Sequence, residues 1–203
     1  MGERSMISVI EIVDIFIMTA FLAYLFEDYV KPRSSADIVS MLDRGVTGSA
    51  LKKRKAWEDL KFAALVIAPG VILHELAHKF VAIGFGHQAT FQAFYQDPFT
   101  LMLGVIAILS KVLNWGFIFI VPGFVSISAG ATALQTGIIA FAGPLIHALF
   151  WAGSKVALET NAVENRAFWA MTRRINGFLF VFNLLPIPGF DGHKVLLSVL
   201  SFL

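Results

Sequence analysis

A chain of 203 residues with 57% hydrophobic and only 15% charged side chains is too apolar for an ordinary soluble domain, in which roughly a quarter of residues are charged. A net charge of +2 offers no electrostatic footprint for nucleic acid. The lack of cysteine excludes disulfides and thiolate metal sites.

The charges are also unevenly spread. Eight of the sixteen Lys and Arg residues fall between Lys31 and Lys61. Long stretches elsewhere carry almost none, which is the pattern of a membrane protein. The first apolar run, Met6 to Phe26, is long enough to cross a bilayer and contains Glu11 and Asp14. It is too long for a cleavable signal and lacks a small-residue cleavage site, so a retained spanning helix is expected. Glu11 and Asp14, three residues apart, share a helix face and are expected to face the bundle or a membrane surface. Residues 27–60 read as a polar loop, with room for one short helix. Within it, Lys52-Lys53-Arg54-Lys55 suits a solvated juxtamembrane loop or anionic headgroups.

Phe62–Gly86 is the second apolar helix and holds Pro69-Gly70 followed by His74-Glu75-Leu76-Ala77-His78. Residues 87–98 are polar and aromatic. Thr100–Val112 is apolar but short, which suits an interfacial or re-entrant segment. Phe117–Val121 and Phe124–Ser128 flank Pro122-Gly123 and read as a β-hairpin. Its edges must be covered by protein or line a polar cavity, because open strand edges cannot face lipid. Gly137–Trp151 is the next helix and contains Gly143-Pro144 and His147. Ala167–Leu185 is the last long one, with Arg173-Arg174 placed at the membrane surface and the helix entering lipid near Ile175. It breaks at Pro186-Ile187-Pro188-Gly189, and Asp191-Gly192 and a short terminal helix follow.

These elements predict an all-α polytopic membrane protein: a core of three transmembrane helices plus flanking helices, with a small membrane-associated β-hairpin. A single membrane-embedded domain over 1–203 is expected. Its parts are an N-terminal transmembrane helix (1–30), a basic loop (31–61), a catalytic core (62–192) and a C-terminal segment (193–203).

The chemistry starts from helical spacing. His74 and His78 are four apart and present two imidazoles on one face, with Glu75 beside them as a candidate general base. Three ionisable residues within five positions of an apolar helix are expensive to bury, and a shared metal ion gives a reason for all of them. A catalytic zinc takes three protein ligands and leaves one position open, so a third ligand is needed. His87 lies nine residues past His78 and too far along the helix. His193 and Asp191 remain, and Asp191 follows a Pro-broken helix of the kind that marks membrane sites. Depth agrees. Lys61 to His74 spans about 20 Å of helix and Arg174 to Pro186 about 18 Å, at 1.5 Å per residue. Both polar groups therefore lie somewhat past the middle of a core about 30 Å thick, if both helices enter from one side.

Here a resemblance emerges. The run His74–His78 resembles the zinc motif of the site-two protease family of intramembrane metalloproteases. Asn183-Leu184-Leu185-Pro186-Ile187-Pro188-Gly189-Phe190-Asp191-Gly192 resembles that family's second signature. Phe141-Ala142-Gly143-Pro144-Leu145 is similar to the start of its middle core helix, and Pro122–Val125 to its membrane-dipping β segment. The resemblance implies Asp191 as third ligand to a single catalytic Zn2+, Glu75 as base, and transmembrane proteins as substrates, cleaved in or near their membrane segments. A multi-pass location in the cell membrane follows. Asn183 is a candidate for holding the oxyanion. The family commonly has Asn where this chain has His147, and two readings of His147 stand open: contact with the oxyanion, or satisfaction of a buried neighbour. The rival classes are an ion transporter, with the broken helix as its site, and a zinc-binding scaffold without activity; the intact Glu75 disfavours the scaffold.

Overall fold

The computed structural model describes residues 7–30, 48–115, 123–160 and 163–203. It is mostly helical. Helix α1 runs Val9–Val30, α2 Gly48–Gly84, α3 Pro98–Val112, α4 Ala133–Glu159, α5 Arg166–Asn183 and α6 Asp191–Leu200. Two short strands, β1 (Ala89–Ala93) and β2 (Gly123–Ile127), form an antiparallel pair. Three helical stretches are long and apolar enough to cross a membrane: Val9–Val30, Ala56–Gly84 and Ala133–Glu159. Helix α5, with Arg166, Arg173 and Arg174, is not among them.

Local chemistry explains most element boundaries. Asp97 caps α3 by accepting from the backbone N–H groups of Phe99 and Thr100, both at 3.0 Å, and Pro98 opens the helix where its missing N–H costs nothing. Thr132 and Gln135 form a capping box at the start of α4. Asn165 accepts from the N–H of Phe168 at the start of α5. The far end of α2 closes on Gly86 at φ +87, with the N–H of His87 reaching Ala82 O at 3.0 Å and that of Gly86 reaching Ile83 O at 2.9 Å. This left-handed glycine cap turns the chain directly into β1.

Two expectations are corrected. The stretch read as a basic loop is helical from Gly48 onward. Its Ala, Leu, Lys, Arg and Glu residues are strong helix formers, and no Gly or Pro falls between Ser49 and Ala68. The strand after Pro122-Gly123 is present, but its partner is β1, with Ala89 opposite Ile127 and Ala93 opposite Gly123. The 117–121 half of the expected hairpin lies outside the described residues. The pairing brings together segments separated by the whole of α3, and Phe91 and Ala93 of β1 are buried on one face.

Helix α4 packs against α2, α5 and α6, while α1 packs against α2 and β1. The apolar core joins Met18, Leu22 and Leu25 of α1 to Val66, Ile67 and Val71 of α2 and to Phe91. The rings of Phe21 and Phe94 stack with centroids 4.1 Å apart. Large apolar side chains also cover the outside: Val9, Phe16, Leu65 and Leu149 are all more than half exposed. Apolar surface on this scale suits contact with lipid better than with water.

Candidate metal centre and its cavity

His74 and His78 sit one turn apart on α2. Asp191 arrives from the other end of the chain. Pro186 and Pro188 stop α5, Gly189 turns the backbone at φ +97, and Asp191 falls in the first turn of α6. The three side chains converge. The Nε2 atoms of His74 and His78 are 3.0 Å apart, and each is 3.2 Å from Oδ2 of Asp191. Zinc bonded tetrahedrally at about 2.0–2.1 Å puts its ligand atoms roughly 3.3 Å from one another, so this triangle is close to one face of such a site.

The chemistry of the donors fits as well. Nδ1 of His78 donates to the backbone carbonyl of Ile139 at 2.6 Å. A carbonyl only accepts, so the proton is on Nδ1 and the Nε2 lone pair faces the centre. Two imidazole nitrogens and a carboxylate oxygen aimed at one point are stable together only around a cation. Among the described residues these three form the cluster able to hold a metal ion.

The backbone of α4 closes one side. A Cβ on Gly143 would lie 2.6 Å from Cε1 of both His74 and His78. Only glycine allows this approach, which accounts for Gly143. Glu75 is 6% exposed and makes no hydrogen bond among the described residues. Its carboxylate lines a cavity of about 960 Å³ with His74, His78, Asp191, His147 and Asn183, and with β2 along one wall.

The expected residues thus gather at one place: His74, Glu75, His78, Asp191, Asn183 and His147 all line this cavity. His87 does not join them. Its Nε2 donates to Oε1 of Gln135 at 3.3 Å, at the end of α2. His193 is outside the donor cluster. His147 does satisfy a buried neighbour: its Nδ1 bonds Oδ1 of Asn176 at 2.8 Å. Sequence reasoning missed Asn176, Ile139 and Lys194, which also lines the cavity. Lys194 was findable, since it lies three residues after Asp191 on the same helical face. Asn176 carried only the weak signal of an amide in an apolar stretch, and a backbone carbonyl such as that of Ile139 carries none.

Apolar helices around a buried His-His-Asp donor set, with a carboxylate facing the same cavity, define a membrane-type metalloprotein equipped for hydrolysis. No family model matches the chain. The chain is 36% identical over 135 residues to a "putative zinc metalloprotease" of Methanocaldococcus jannaschii, an alignment covering 65% of this chain and 67% of that protein. It is 26% identical over 153 residues to a "putative zinc metalloprotease" of Bacillus subtilis, covering 68% of each. The chain belongs to this family of zinc metalloproteases.

Proposed function

We propose that the chain is an intramembrane metalloprotease of the site-two type, cutting peptide bonds in or near the transmembrane segments of membrane-anchored proteins. The observation that carries this reading is the position of His74, Glu75 and His78 within a helix apolar enough to cross a membrane, with Asp191 brought against the two imidazoles. His74, His78 and Asp191 would hold one zinc ion. Zinc, when bound, supplies Lewis acidity and brings the pKa of a water toward neutrality. Glu75 takes the proton of the attacking water and delivers it to the leaving amine. Asn183, on the cavity wall, is a side-chain donor for a developing oxyanion.

A transmembrane helix conceals its carbonyls in its own hydrogen bonds, so a substrate must unwind locally. Strand β2 pairs with β1 along one edge and lines the cavity. Its other edge is suited to receive an unwound segment by strand addition. This reading places the chain in the cell membrane as a multi-pass protein, with transmembrane proteins and lipid as its partners. The test is cleavage of a single-span reporter in liposomes. Cleavage should stop on chelation and return with added zinc. A reporter cut equally well after chelation would refute the assignment.

A further inference from the structure

His147 lines the cavity wall and has no place in the donor set. It is 2% exposed, and its ring lies against that of His74 with centroids 4.8 Å apart, tilted by 35°. Its one hydrogen bond among the described residues is made through Nδ1, to Asn176 Oδ1 at 2.8 Å. The orientation of that amide is fixed by its other end. Asn176 Nδ2 donates to the backbone carbonyl of Thr172 at 2.9 Å, and only the NH2 group can do so. Oδ1 therefore faces His147, and the shared proton must sit on His147 Nδ1. Asn176 is itself 1% exposed and held from a third side. A Cβ on Gly70 would overlap Asn176 Oδ1 and lie 3.3 Å from its Cγ. The bare backbone of α2, one turn before His74, thus makes the space in which the amide sits.

We propose that Asn176 is a positioning residue that fixes His147 as its Nδ1–H tautomer, so that Nε2 meets the cavity as an acceptor for a backbone N–H of the bound peptide. The inference rests on the protease reading for the identity of the ligand. With its proton on Nδ1, neutral His147 has no hydrogen to offer an oxyanion, which leaves that task to other donors on the wall such as Asn183. An unwound peptide brings N–H groups as well as carbonyls into a cavity poor in water, and each needs a partner. The side chains of Asn183 and Lys194 supply donors on the cavity wall. His147 Nε2 supplies an acceptor next to His74, where the segment beside the scissile bond would lie.

The test has two arms. In the full-length chain labelled with [15N]histidine, metal-free and zinc-loaded, NMR should show His147 with a protonated-type Nδ1 and an unprotonated-type Nε2, assigned by the loss of signal in His147→Phe. Asn176→Leu should give a mixture of tautomers, and Asn176→Asp, which keeps the acceptor, should restore the Nδ1–H form. An Nε2–H tautomer in the wild type, or no change in Asn176→Leu with Asn176→Asp also unchanged, overturns the positioning role whether or not the protein cleaves anything. The second arm uses a synthetic single-span peptide and a series in which one backbone N–H at a time near the cut is replaced by an ester oxygen. One replacement should lower wild-type kcat/KM about tenfold, the scale of one hydrogen bond. His147→Phe should show the same loss on the parent peptide and no further loss on that ester. Additive losses overturn the acceptor role; failure of zinc-loaded wild type to cut the parent peptide overturns the protease reading instead.

Discussion

Two polar clusters are buried on different sides of the same turn of α2, and they are finished in different ways. His78 faces α4 and α6, where it joins His74 and Asp191. Lys79, the next residue, faces α1 and β1 and is 2% exposed. Its Nζ forms an ion pair with Glu11, which also accepts from the backbone N–H of Phe91 at 2.7 Å and of Ser8 at 2.7 Å. One turn on, Asp14 accepts from the Tyr95 hydroxyl and from the Gln96 amide nitrogen Nε2, the latter at 2.6 Å. Every charge in this second cluster has a partner of opposite sign or a donor. In the first, Glu75 makes no hydrogen bond among the described residues, Nδ1 of His74 is buried without one, and three acceptors point at one spot. A complete network fixes structure: Glu11 ties α1, α2 and β1 together. An incomplete one keeps its lone pairs for a metal ion and a substrate.

Substitutions that break each cluster should therefore fail differently. The largest effect is expected for Asp191→Ala, which removes one of three donors. Metal analysis of the purified variant should find zinc lost and cleavage abolished, with the fold retained. Next is Lys79→Met, which leaves Glu11 buried without its counter-charge. Unfolding in detergent should show a loss of about 3–5 kcal/mol, while the double variant Glu11→Gln/Lys79→Met should recover part of it. A double variant no more stable than the single one would contradict the brace.

Smaller effects test the packing around each cluster. Gly143→Ala forces a methyl against the imidazoles of His74 and His78. Zinc affinity should fall about 10–100-fold, the usual cost of disturbing the surroundings of a metal ligand, with little change in the unfolding midpoint of the metal-free protein. Tyr95→Phe should cost about 1.5 kcal/mol, the scale of a hydrogen bond to a charged group, because Asp14 keeps Gln96. The hydrogen bond from the Tyr95 hydroxyl to the Asp14 carboxylate raises the tyrosine above its ordinary value of 10.0. Its contribution is then fully present below about pH 10 and is lost as pH rises through the raised value. The stability difference between wild type and Tyr95→Phe should narrow only in that alkaline range.

The same contrast explains what was legible in the sequence. His74, Glu75 and His78 are local: their spacing alone puts them on one face. Asp191 was reachable because Pro186 and Pro188 announce a broken helix beside it and because the Asn183–Gly192 run resembles a known signature. The brace was not. Glu11 and Asp14 read as a shared helix face, yet nothing local connects them to Lys79, 68 residues after Glu11, or to Tyr95. The partner of β2 was equally hidden. Ala89–Ala93 is short and polar enough to pass for a loop, and its pairing depends on α3 folding between the two strands. Residues 48–61 misled in the opposite direction, since their charge outweighed their helix propensity in the reading.

The most direct test of the central claim joins zinc content with cleavage for wild type and Glu75→Gln, reconstituted together with a single-span reporter. Glu75 is no part of the donor triangle, so the variant should bind zinc in the same ratio as wild type and cut the reporter at no measurable rate. Wild-type cleavage by Glu75→Gln with its zinc in place would contradict the account, because the carboxylate that the buried site leaves without a partner would then have no role in the chemistry.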